Sequence, residues 1–204
     1  KGVFKIGDFD VPVVDGRGKD NPLTLYVPVP KSPHGVNMDP TGRYAVASGK
    51  LSPTVSVIEL DQVDDAVAGK LPNPRDCVVA EPEVGLGPLH TAFDDKGNAY
   101  TSIFLDSVVT KWNIAKAVAG ENPVIEKIDV HYQIGQINAS MSETKEADGN
   151  WMIALCKFSK VRFLPVGPFR LENDQRLNIT GAQMKMCNEA APHRAPTQAI
   201  IVRT

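Results

Sequence analysis

Apolar residues along this chain come in short, β-branched-rich runs bounded by Gly, Pro, Asn and Asp, with few stretches of helical period. Strand-like runs punctuated by turn residues predict an all-β sandwich, barrel or propeller. The runs also repeat. From His34 to Leu60 an apolar run leads into the turn Asp39-Pro40-Thr41-Gly42, a strand from Tyr44, a second turn and a strand from Thr54 to Leu60. From His90 to Ile114 the plan recurs, with the turn Asp94-Asp95-Lys96-Gly97, a strand near Tyr100 and another from Val108. A third copy centres on Glu146-Ala147-Asp148-Gly149 and the strand that starts at Trp151.

The turn glycines Gly42, Gly97 and Gly149 are 55 and 52 positions apart, near the period of propeller blades. Asp at the head of such a turn bonds back to the backbone, Pro40 presets φ, and Gly admits the positive φ that closes the hairpin. Cys77 to Ala80 and Val124 to Val130 supply further strands, and short helices are expected at Asp61 to Ala68 and Ile114 to Ala119. The expected architecture is therefore a β-propeller, with residues 1–204 forming a partial propeller of about three to four blades. Blades of roughly 50 residues cannot close a large ring in this length. The opening at Lys1 and the strand-like finish from Ala199 to Thr204 lead to the expectation of a segment of a larger ring.

Composition narrows the function classes. The 204 residues are 42% hydrophobic and 23% charged, with a net charge of −2, which is ordinary for a globular domain. Acidic and basic residues interleave, so there is no footprint for nucleic acid or anionic lipid, and no membrane span is expected. No phosphate-binding Gly-rich loop, EF-hand loop or zinc spacing is present. Cys77, Cys156 and Cys187 are far apart and odd in number, and are expected to be buried small hydrophobes.

The candidate chemistry is histidine. His34 and His90 each precede the innermost strand of a repeat, so both are expected to aim toward the propeller axis, where several blades can contribute to one site. Imidazole suits copper, zinc, iron and nickel. His131 and His193, in loop-like settings, are expected at the surface.

The strings GKLSPTVSVI, GLGPLHTAFD and KFSKVRFLPVGP, within a match running from about Val11 to Val202, resemble the propeller of the nitrous-oxide reductase family. The resemblance implies a seven-bladed, periplasmic propeller holding a copper-sulfide cluster through histidines, at which nitrous oxide is reduced to dinitrogen and water. It implies His34 and His90 as catalytic copper ligands. It also implies a calcium site using the Lys157 carbonyl and the Glu172 carboxylate; a lysine can serve calcium only through its C=O. Electrons would come from a cytochrome or cupredoxin, by way of a second copper centre in a cupredoxin domain absent from these residues, in a homodimer.

Two positions depart from the family pattern. Gln136 follows Tyr132-Gln133-Ile134-Gly135 where the family has a ligand histidine, and Thr197 stands at another, unless Pro192-His193 supplies that copper ligand instead. Three readings follow: a segment of a working reductase, a diverged non-catalytic propeller acting as a binding module, and a calcium-dependent hydrolase-type propeller resting on fold alone.

Overall fold

The computed structural model describes residues 2–13, 16, 24–156, 173–190 and 201. After a two-stranded hairpin, β1 (Gly2–Ile6) and β2 (Phe9–Val13), the chain folds into three consecutive four-stranded antiparallel sheets. The first contains β3 (Pro33–Met38), β4 (Tyr44–Gly49), β5 (Val55–Glu59) and β6 (Val78–Ala80). The second contains β7 (Pro88–Phe93), β8 (Asn98–Ile103), β9 (Val108–Asn113) and β10 (Val124–Asp129). The third contains β11 (Ile134–Ala139), β12 (Trp151–Cys156), β13 (Asn173–Asn178) and β14 (Lys185–Ala190). Within each sheet, spatial order follows chain order. This is the up-and-down plan of a propeller blade.

The repeat read from the turns corresponds to these blades. Gly42, Gly97 and Gly149 all have positive φ, at 73°, 76° and 61°, which a residue without Cβ adopts at little cost. In the first two turns an acidic side chain holds the hairpin. Asp39 accepts from the amides of Thr41 and Tyr44, and Asp94 from those of Lys96 and Asn98. The third turn differs. Residues 140–150 form a longer connection, Ser140 takes the place of Asp39 and Asp94, and its hydroxyl donates to Asp148 from across the loop. Both expected helices form, as α1 (Leu60–Val67) and α2 (Ile114–Val118), each joining the third strand of a blade to its fourth.

The blades stack face to face, and the core lies between them. Val46, Val55, Val57, Phe93, Ile103 and Trp112 fill the space between the first and second blades. Tyr100, Ile134, Ile137, Met152, Leu177 and Ile179 fill that between the second and third. Buried polar groups in the middle blade are paired: Trp112 Nε1 donates to Thr101 Oγ1 at 2.9 Å, and Thr101 meets Thr91 at 2.9 Å. Such satisfaction is what allows hydroxyls in a dry core. Cys77 and Cys156 are buried as expected, whereas Cys187 is exposed. It lies on β14, the outermost strand of its sheet among the described residues.

Candidate metal centre at the inner rim

The innermost strands β3, β7 and β11 are entered in the same way. The residue before each has a left-handed backbone: Ser32 at φ 59°, Gly87 at 90° and Gln133 at 54°. Two of the three are not glycine. A non-glycine residue in that region carries strain that the surrounding structure must hold, a feature concentrated at functional sites.

Each strand then bulges at once. His34 and Gly35 stand opposite Ser48 alone, Leu89 and His90 opposite Ser102, and Gly135 and Gln136 opposite Leu155. A bulge re-aims side chains and opens the ladder locally. His34 and His90 thus lie inside the inner strands rather than before them, and they are not equivalent. His34 is the first residue of its bulge and His90 the second. That one-residue offset brings them together: the imidazole centroids are 4.8 Å apart, at 88° to each other. His34 is exposed and His90 half-buried.

Gly35 makes the approach possible. A Cβ placed there would overlap the Leu89 carbonyl oxygen and come within 2.8 Å of His90 Nδ1. The His90 ring therefore occupies the space a side chain at position 35 would take. Across the rim, Ser102 Oγ accepts from the His90 amide at 3.1 Å and donates to the Gly135 carbonyl at 2.8 Å, fixing the second and third bulges to one another. Thr91 N donates to Asn37 Oδ1 at 3.0 Å, fixing the second to the first.

Imidazole nitrogens are donors that copper, zinc, iron and nickel all accept, and two such rings meet here edge to face over a glycine cradle. The Ser48 hydroxyl, buried opposite the His34–Gly35 bulge, finds no hydrogen-bond partner among the described residues. No cluster of three or more His, Cys, Asp or Glu side chains suited to a metal occurs among the described residues, so the pair fits copper but does not by itself make up the donor set of a multi-copper cluster. Lys157, Glu172, His193 and Thr197 lie outside the described residues.

The family model for the nitrous oxide reductase propeller repeat matches residues 127–196. The nitrous-oxide reductase of Stutzerimonas stutzeri is 54% identical over 206 residues, covering 97% of this chain and 32% of that protein. The nitrous-oxide reductase of Pseudomonas fluorescens is 52% identical over 201 residues, covering 95% and 32%. The chain belongs to the nitrous-oxide reductase propeller family. It spans about a third of the length of these curated relatives. Among solved structures, the Swd1 β-propeller domain of Myceliophteria thermophila superposes with a TM-score of 0.51 at 7% identity, covering 79% of this chain and 40% of that one; at that identity the likeness shows the fold alone. No helix of the described residues is long and apolar enough to cross a membrane.

The remaining described histidine corrects its expectation. His131 is only 10% exposed and pairs with Glu189 at 3.0 Å. Its carbonyl accepts from the Cys156 thiol and its amide donates to Gln175 Oε1. Burial pushes the Cys156 thiol up to about 12. This network fastens the third blade, well away in sequence from the rim pair. The sequence reading also passed over Gly35 and Ser102. Gly35 had a signal, the small residue next to His34, which acquires meaning once the bulge is known; Ser102, on the neighbouring strand β8, had none.

Proposed function

We propose that this chain is part of the propeller of a periplasmic nitrous-oxide reductase, and that His34 and His90 are ligands of its copper-sulfide cluster. The observation that carries the reading is the convergence of the two imidazoles, from different blades and 4.8 Å apart, in a chain related to enzymes of that name. When bound, the cluster would supply the metal surface at which nitrous oxide, two electrons and two protons become dinitrogen and water.

This chain's residues contribute position. The bulges turn both histidines to the rim, Gly35 leaves the His90 ring its space, and Ser102 holds the His90 backbone against the next blade. Rings locked by their supporting shell bind metal without rearranging. The same reading assigns a calcium ion to the Lys157 carbonyl and the Glu172 carboxylate, and His193 as a further copper ligand in place of Thr197. It places the chain in a seven-bladed ring within a homodimer, with electrons delivered by a cytochrome or cupredoxin.

The test is made on the copper-loaded holoprotein. Replacing His34 or His90 with Ala should lower bound copper and reduce nitrous oxide consumption by about 100-fold or more. Copper content and turnover unchanged in both variants would refute the assignment. Gln136, where a third imidazole is expected, favours a second reading: a diverged propeller that binds without catalysing. That reading predicts normal folding with no nitrous oxide turnover even after copper loading.

A further inference from the structure

In the first two blades, the residue that follows the second strand fixes the entry to the first. Lys50 follows β4, and its amide donates to the Ser32 carbonyl at 2.9 Å; Phe104 follows β8, and its amide donates to the Gly87 carbonyl at 2.7 Å. Ser32 and Gly87 are the left-handed residues from which β3 and β7 start, with His34 two positions after the one and His90 three after the other. Lys50 and Phe104 also meet across the blades. The Lys50 ammonium lies 4.4 Å from the centroid of the Phe104 ring, which is buried. A cation within about 6 Å of an aromatic face is attracted by the ring quadrupole. Contact therefore runs from the strand entry that carries His34, through Lys50 and Phe104, to the strand entry that carries His90.

We propose that Lys50 is a positioning residue for the histidine pair, clasping the rim of the first blade to that of the second through the Phe104 ring. The proposal rests on the copper reading of that pair. His34 is exposed, so its place beside His90 is set by how its strand entry is held. The fit between the blades leaves little slack. A Cβ at Gly35 would overlap the Leu89 carbonyl oxygen, so β3 and β7 are in backbone contact there, and a shift of one blade against the other moves the imidazoles with it. Loss of a contact that orients a metal ligand changes affinity by about 10- to 100-fold. Lys50 acts through the strand entry rather than on a ring, which places it at the lower end.

The experiment loads the full chain with cupric ion in a Cys187→Ser background, which removes the exposed thiol as a competing soft ligand. Affinity is read by chelator competition, well below the thermal midpoint of every variant, in protein of unchanged strand content by circular dichroism. Lys50→Met keeps the apolar stem and removes the cation, and should weaken cupric binding about tenfold. Lys50→Arg, whose guanidinium also stacks on aromatic faces, should bind as the parent does. Phe104→Leu should match Lys50→Met, and the two together should lose no more than either alone, because both break one contact. Lys50 is half-buried, and its two variants decide by themselves should Phe104→Leu fail to fold. His34→Ala/His90→Ala sets the reference. If that variant loses binding while Lys50→Met binds as the parent does, or Lys50→Arg is as weak as Lys50→Met, or the Lys50 and Phe104 losses simply add, the inference fails and the copper reading survives. If His34→Ala/His90→Ala binds as the parent does, the copper reading itself fails and takes the inference with it.

Discussion

A methyl group added at Gly35 has nowhere to go except into the Leu89 carbonyl and the His90 ring. Gly35→Ala must therefore push β3 from β7 or turn the imidazole away, at a cost of about 1–3 kcal/mol. We expect a lower thermal midpoint and at least tenfold weaker copper binding, whereas Gly42→Ala, whose added Cβ meets nothing within 4 Å, should affect stability alone. Equal copper affinity in the two variants would contradict the role given to Gly35. The thiols make a second expectation. Cys187 is exposed, and burial holds the Cys156 thiol near 12, leaving about a thousandfold less thiolate than an ordinary thiol. Iodoacetamide should label Cys187 in the folded chain and reach Cys156 only after denaturation, as mapped by mass spectrometry. The histidines were legible in the sequence because their motifs are specific. Their offset was not, since a bulge leaves no mark in the pattern of apolar and polar positions. Cys187 was misread because burial depends on what lies beyond an outer strand, which a single residue type does not reveal.

Turns dominate at the scale of elements. Asp94 is buried and accepts from Lys96 N, Asn98 N, Asn98 Nδ2 and Tyr100 Oη at 2.8–3.0 Å. Burial and this neighbouring carboxylate raise the Tyr100 phenol well above its usual range, so Tyr100 remains a neutral donor across ordinary pH. Asp94→Ala strands four donors and should cost on the order of 3 kcal/mol, read as a shift in urea midpoint with an unchanged slope. A loss below about 1 kcal/mol would show that water replaces the carboxylate. These hairpins were readable because Asp, Gly and an aromatic at fixed offsets have one structural meaning. The third was placed correctly but its form was not. There Ser140 and Asp148 divide a task that one residue performs in the other two, a division visible only when the loop is folded.

For the molecule as a whole, burial along the inner strands is uneven. β7 and β11 are covered on both faces, while β3 exposes Val36 and Met38 at 64% and 55%. The β1–β2 hairpin likewise exposes Phe4 and Phe9. Apolar sheet faces of this kind associate in water. At micromolar concentration the chain should sediment as dimers or larger species, and Val36→Lys/Met38→Lys should shift it toward monomer. A single 22.1 kDa species in the parent would contradict this. The propeller class was legible from the 55- and 52-residue spacing, but the depth of each blade interface was not, because Phe93, Tyr100 and Trp112 of the middle blade are buried against residues of the other two blades, far away in sequence. The most direct test of the account is the copper content of the protein isolated from its source, by elemental analysis, beside a His34→Ala/His90→Ala variant of equal helicity and strand content by circular dichroism. The account predicts copper in the parent and its loss in the variant. Folded parent protein without copper, or a variant that keeps it, would contradict the claim that the inner rim is a copper site.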